Sequence, residues 1–231
     1  MHDVIRLTPR LAAAASFVRV GSVVADIGTD HAYLPLHLVL NGISPRAVAS
    51  DVADGPIARA AENVSRYPSA AGKIVLYKAD GLSGIEEHSP GDILICGMGG
   101  ELISWILSGS EYVRDPGIRL ILQPMSKEER LRGYLYSSGF DIIDETIVRE
   151  GVKLYQIIVA RYDGKRRDCT EAESMIGKCN IKKRNGDLYL LLEKKINAVE
   201  KKISGLRSSG ADTGEYDKLL DDLKKIACGK E

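Results

Sequence analysis

Four stretches of this 231-residue chain place acids or glycines directly after short apolar runs. They are Asp26-Ile27-Gly28, Asp51-Val52, Asp80-Gly81-Leu82 and Gly97-Met98-Gly99-Gly100. These residue types suit a nucleoside-like ligand. Gly28 lets backbone approach a ligand closely. Asp51, 25 residues after Asp26, can accept hydrogen bonds from both hydroxyls of a ribose. Asp80 can bind an adenine amino group, with Gly81 beside it, and Val52 and Leu82 can sandwich the base.

The turn after Gly28 separates two ligand classes. A pyrophosphate-binding turn reads G-x-G-x-x-G. Here Asp30 stands at the second glycine position, followed by His31, Ala32, Tyr33 and Leu34. A carboxylate there repels a pyrophosphate and favours a cationic, phosphate-free ligand. S-adenosylmethionine carries a sulfonium and an ammonium group, which Asp26 and Asp30 suit. A nicotinamide-dependent dehydrogenase therefore ranks last. Each residue also has a plainer reading: Asp30 as a helix N-cap, His31 as a turn residue, Gly97–Gly100 as a tight turn without a ligand.

The elements that would position these residues follow from hydrophobic periodicity. Strands are expected at Val23–Asp26, Arg46–Asp51, Ile74–Tyr77, Asp92–Cys96 and Arg119–Leu122. Helices are expected at Leu7–Val18 (with Thr8 as cap), Leu34–Leu40, Ile57–Tyr67, Glu101–Leu107 and Ser126–Ser138. Two further strands, Asp141–Glu150 and Leu154–Tyr162, face each other across Gly151. Such alternation predicts a parallel α/β sheet with helices on both faces, and all four stretches then line one crevice at the strands' carboxyl ends. The closing β-hairpin is the mark of the seven-stranded, Rossmann-like class I methyltransferase sheet, and is unusual in a dehydrogenase.

Composition divides the chain. Residues 1–160 carry 15 Lys/Arg against 19 Asp/Glu, and residues 161–231 carry 17 against 13. The expected division is a catalytic domain at 1–163 and a helical hairpin at 164–231. In the latter, Leu188, Leu192, Ile196, Val199, Ile203 and Leu206 form one stripe, and Tyr216, Leu220, Leu223 and Ala227 a second. Lys182, Lys183 and Arg184, in a basic break before the hairpin, and Lys194, Lys195, Lys201 and Lys202 suit an anionic partner or a solvated helix surface. The dispersed cysteines and histidines suggest reduced thiols and no metal site. With no signal peptide and no spanning run, the expected setting is cytoplasmic, as a monomer or weak dimer.

Several motifs carry a family resemblance: ADIGTDHAYLP (25–35), DGP (54–56), DGL (80–82), ICGMGGELI (95–103), LILQP (120–124) and the ending E-x-I-V-x-E-x-x-K-L-Y (145–155). Over nearly the whole catalytic domain the chain resembles the bacterial tRNA (adenine-22, N1) methyltransferases. It departs from that pattern at Asp51, where Glu is expected, and at Ala79, where Gly is expected. The resemblance implies methyl transfer from S-adenosylmethionine to N1 of a tRNA adenine, with a C-terminal helical hairpin. N1 has a free lone pair, so alignment and water exclusion suffice without a strong base. Asp30 could stabilise the cationic product. Gly97 and Gly99 let a flat base approach, Met98 can pack on it, and Gln123 could hydrogen-bond the base or simply cap a loop. Two rival expectations stand beside this one: the same fold acting on a small molecule or protein, and a non-catalytic module that binds cofactor or RNA.

Overall fold

A computed structural model describes residues 5–184 and 186–229. The chain divides into two compact units after Arg167.

The first unit is built on a seven-stranded sheet. Its strands are β1 (Val24–Ile27), β2 (Ala47–Asp51), β3 (Ile74–Lys78), β4 (Asp92–Gly99), β5 (Arg119–Ser126), β6 (Phe140–Glu150) and β7 (Lys153–Tyr162). They are ordered β3-β2-β1-β4-β5-β7-β6. The first five run parallel, and β7 is antiparallel to both β5 and β6. This is the class I methyltransferase architecture expected from the sequence. The helices are α1 (Pro9–Ala15), α2 (Tyr33–Leu40), α3 (Asp54–Ser65), α4 (Gly100–Ser108) and α5 (Glu128–Ser137). α2 packs on both α1 and α3, and α4 packs on α5. β1 is buried along its length because helices cover both faces of a parallel sheet.

Two strands run further than their apolar runs suggest. β4 continues through Gly97-Met98-Gly99 and β5 through Gln123–Ser126, with Met98 opposite Pro124 and Gly99 opposite Ser126. The expected open turn is therefore a bulged strand end, with register shifts on both sides of Met98. Thr8 precedes α1 but makes no side-chain cap.

Two ion pairs, one half-buried and one fully buried, tie the unit together. Arg19 Nε and N donate to the fully buried Asp92 at 2.6 and 2.7 Å, fixing the segment after α1 to the start of β4. Arg132 on α5 donates to Glu145 on β6 at 2.6 Å and to Gln156 on β7 at 2.7 Å, with both charged side chains fully buried. The first unit extends four residues past the expected boundary at 163 because Arg167 pairs with Asp163 and Asp141 and donates its backbone N–H to Tyr136.

The second unit holds α6 (Glu171–Ile176), α7 (Lys178–Lys183), α8 (Gly186–Ser208) and α9 (Gly214–Cys228). Thr170 and Glu173 form a reciprocal capping box on α6. Lys182 and Lys183, expected in a break, end the helix α7 instead, and the break is at Arg184, whose φ is 48°. Asn185 lies outside the described residues. Leu188, Leu192, Val199 and Ile203 of the predicted stripe are buried, joined by Leu191; on α9 it is Leu219 and Leu223. The ion pairs Arg207–Asp217 and Glu200–Lys224, each 2.8 Å, fix the antiparallel register of α8 and α9.

Candidate active site

The turn after β1 is held by three hydrogen bonds. The backbone N–H groups of Gly28 and Thr29 donate to Ser50 O on β2 at 2.8 and 2.9 Å. Thr29 Oγ1 accepts from Ala32 N at 3.2 Å. Gly28 has a φ of 78°, a conformation that disfavours any side chain. Asp26 is only 7% exposed. Burial pushes its carboxyl up to about 6, against a smaller opposing effect of the Thr29 hydroxyl. An acid kept this dry gains most from a cation brought beside it.

Asp30 behaves differently. Its carboxylate is well exposed, accepts from Arg59 Nε at 3.0 Å and lies 3.1 Å from His31 Nε2. Ala32, with φ 54°, takes the N-cap position of α2, so Asp30 is not the helix cap that its alternative reading required. The His31 ring stacks on Tyr33, with centroids 5.2 Å apart and planes 21° apart. Leu34 is buried in the core.

At the end of β2, Asp51 Oδ1 accepts from Ala53 N at 2.8 Å, and Val52 is 62% exposed. After β3, Asp80 is exposed and Gly81 packs on Ile106 of α4. Leu82 is only 5% exposed. The predicted base sandwich is therefore lopsided: Val52 offers open apolar surface and Leu82 mainly belongs to the core. The same loop walls a cavity of about 810 Å³, shared with Trp105, Tyr112, Glu86, Glu111 and Asp115. That acidic lining is as unsuited to a phosphate as Asp30 is.

The end of β4 closes the site. The side chain of Met98 turns back over the β1 turn, so that a Cβ added to Gly28 would lie 2.0 Å from its terminal methyl. Met98 thus reaches the turn after β1. Cys96 is half-buried, and burial together with the neighbouring Asp26 charge drives its thiol far above the usual range. Gly97, with φ 84°, donates its N–H to Gln123 Oε1 at 3.2 Å. Gln123 is fully buried, and its Nε2 donates to Pro124 O at 2.9 Å. With both ends engaged, Gln123 ties the ends of β4 and β5 together. Gly99 lies beside Ser126 of β5.

Strand order brings the ends of β1, β2, β3 and β4 to one edge, and so joins Asp26, Gly28, Asp51, Asp80 and Gly97 as expected. Sequence reading missed Arg10 on α1, which reaches Gln123 and Glu150. It also missed Arg59 and Thr29. Glu150 and Tyr155 lay within the motif at 145–155, but nothing local linked them to the crevice. Among the described residues no cluster of His, Cys, Asp and Glu could hold a metal ion, and no helix is long and apolar enough to cross a membrane.

The chain is similar to several known proteins. A family described as "Methyltransferase domain" matches residues 7–158. The tRNA (adenine(22)-N(1))-methyltransferase of Bacillus subtilis (strain 168) is 37% identical over 167 residues, covering 69% of this chain and 70% of that protein. The crystal structure of the B. subtilis M1A22 tRNA methyltransferase TrmK superposes with a TM-score of 0.80 at 31% identity, covering 96% of both chains. Streptococcus pneumoniae Sp1610, solved in complex with S-adenosyl-L-methionine, superposes with a TM-score of 0.84 at 30% identity, covering 96% of this chain and 100% of that one. The strand order, the turn after β1, the bulged end of β4 and these likenesses agree: the chain belongs to the tRNA (adenine(22)-N(1))-methyltransferase family.

Proposed function

We propose that this chain transfers a methyl group from S-adenosylmethionine to N1 of adenine 22 in tRNA. One observation carries the reading: a dry carboxylate, Asp26, beside the side-chain-free Gly28, at a sheet edge that also presents Asp51 and Asp80. This donor set suits a cationic nucleoside and repels a dinucleotide. The cofactor, when bound, supplies an electrophilic methyl group. Asp26 faces its ammonium, Asp51 its ribose, and Asp80 and Val52 its adenine. Met98 lies over the β1 turn and is displaced or packed against when the crevice fills. Asp30, held by Arg59, with the His31–Tyr33 stack, forms the rim of the turn.

The crevice aligns the lone pair of N1 with the methyl group and excludes water. The nearby carboxylates then stabilise the positive charge left on the methylated base. The target base is extruded from the folded RNA to be received over Gly97–Gly99.

The C-terminal unit supplies sequence-blind contacts to phosphates. Its basic residues are not equivalent. Arg184 donates to the last carbonyls of α9, Ile226 and Ala227, at 3.3 Å, and Lys202 lies over the Tyr216 ring. Lys182, Lys194 and Lys201 are exposed, and they are the better phosphate contacts. Lys183 and Lys195 complete the set. The protein works in the cytoplasm as a monomer or weak dimer, a state that sedimentation checks.

The test is incubation with labelled methyl donor in a cell extract to which unmodified tRNA is added. Label in tRNA is the expected outcome. Label in protein or small molecules favours the rival substrate classes, and no turnover favours a binding module.

A further inference from the structure

Arg10 brings a charge from α1 to the substrate end of the crevice, across 113 residues of sequence. Its Nη1 donates to Gln123 Oε1 at 2.9 Å. On its other side Nε lies 3.7 Å from Glu150, and its backbone N–H donates to the same carboxylate at 3.2 Å. The guanidinium sits 5.9 Å from the centre of the Tyr155 ring. Gln123 Oε1 also accepts from Gly97 N. Glu150, Arg10, Gln123 and Gly97 therefore form one chain of contacts that ends on the bulge of β4.

The chain has a defined polarity. The bulge beside Gly97 shifts β4 out of register with β5, and a side-chain oxygen receives the Gly97 N–H. Gly97 itself is exposed, so this bond sets where the bulge sits rather than rescuing a buried donor. The Gln123 amide can answer with oxygen or with NH2, and only the oxygen fits. Arginine has donors and no acceptor. Arg10, donating to Oε1, and Pro124 O, accepting from Nε2, together hold the amide oxygen toward Gly97. Without Arg10 the amide keeps its bonds to Gly97 and Pro124, but the bulge loses its tie to α1 and Glu150.

We propose that Arg10 is a positioning residue for the methyl transfer: by orienting the Gln123 amide it fixes the Gly97 bulge where the target base is received. The role rests on the methylation reading above. It does not require Arg10 to touch the base or the methyl donor.

The test is steady-state kinetics on unmodified tRNA, with donor affinity measured by calorimetry and folding checked by thermal melts. Arg10→Met keeps the apolar stem and removes every donor. It is expected to lower kcat by about 10- to 100-fold, the scale of a small misplacement in a reacting geometry. The KM for tRNA and the Kd for the donor are expected to stay within about threefold of the unaltered protein. Arg10→Lys, which keeps one donor group without the fork, is expected to fall between the two. Because Arg10 acts through Gln123, the double variant R10M/Q123L is expected to be no slower than Q123L alone. If R10M does not fold, R10K carries the comparison. Unchanged kcat in both Arg10 variants, losses that multiply in the double variant, or a loss confined to donor affinity would overturn the role. An inactive unaltered protein would overturn the methylation reading, and this role with it.

Discussion

Replacing Asp26 by asparagine tests the electrostatics of the crevice without changing its shape. The carboxyl titrates at 3.8 in the unfolded chain and at about 6 in the folded one. Its folded value is raised, so the native state holds the proton more tightly between those limits. Stability from this group is complete below 3.8 and is lost as pH rises through about 6. The gap is worth about 3 kcal/mol at one pKa unit per 1.36 kcal/mol. The Asp26→Asn side chain carries no such proton and can still accept from the Thr29 hydroxyl. The assay is urea unfolding of both proteins from about pH 4 to about pH 7.5, taken as a difference so that other titrations cancel. Relative to the unaltered protein, the variant is expected to gain about 2–2.5 kcal/mol across that range, nearly all of it before about pH 7. A difference that stays flat with pH would refute the reasoning, because it would mean that Asp26 is not dry. The same residue governs the donor. Affinity of the unaltered protein for S-adenosylmethionine is expected to weaken as pH falls below about 6, and the Asp26→Asn variant to bind weakly with no such dependence.

Other expectations follow from the same geometry. Arg132→Met leaves the fully buried Glu145 without its cation and is expected to cost about 3–5 kcal/mol in urea unfolding; a cost below about 1 kcal/mol would contradict the burial. Asp51→Ala is expected to lower donor affinity by about 10-fold or more in calorimetry, with little change in melting temperature, since one buried ribose contact is worth about that much. Unchanged affinity would sink the ribose role. Replacing Lys182, Lys194 and Lys201 together by alanine is expected to lower the slope of log affinity for tRNA against log salt by about 2–3, with donor affinity intact. An unchanged slope would remove these lysines from the interface.

Most of the scaffold was legible because it depends on local pattern. Apolar runs closed by Asp or Gly marked β1 to β5 and the edge where they end. Asp30 at a glycine position spoke against a pyrophosphate from residue types alone. What stayed hidden depends on contacts remote in sequence. The strand ends at Gly97–Gly99 and Gln123–Ser126 looked like loops, because glycine and proline speak against a strand locally. Pairing with each other and a bulge override that preference. Gln123 looked available to a base because its burial is set by Arg10 and Gly97. Leu34 and Leu82 flank the right turns, and only packing shows how deeply each is buried. Asp30 carried no sign that Arg59, 29 residues away, would share its charge.

The most direct measurement is to digest tRNA methylated by the protein and map the product. The expected result is 1-methyladenosine at position 22 alone, with reverse transcription arrested there. Methyl groups on the exocyclic nitrogen, on another base or at another position would contradict the proposed alignment of N1 over the Gly97–Gly99 bulge.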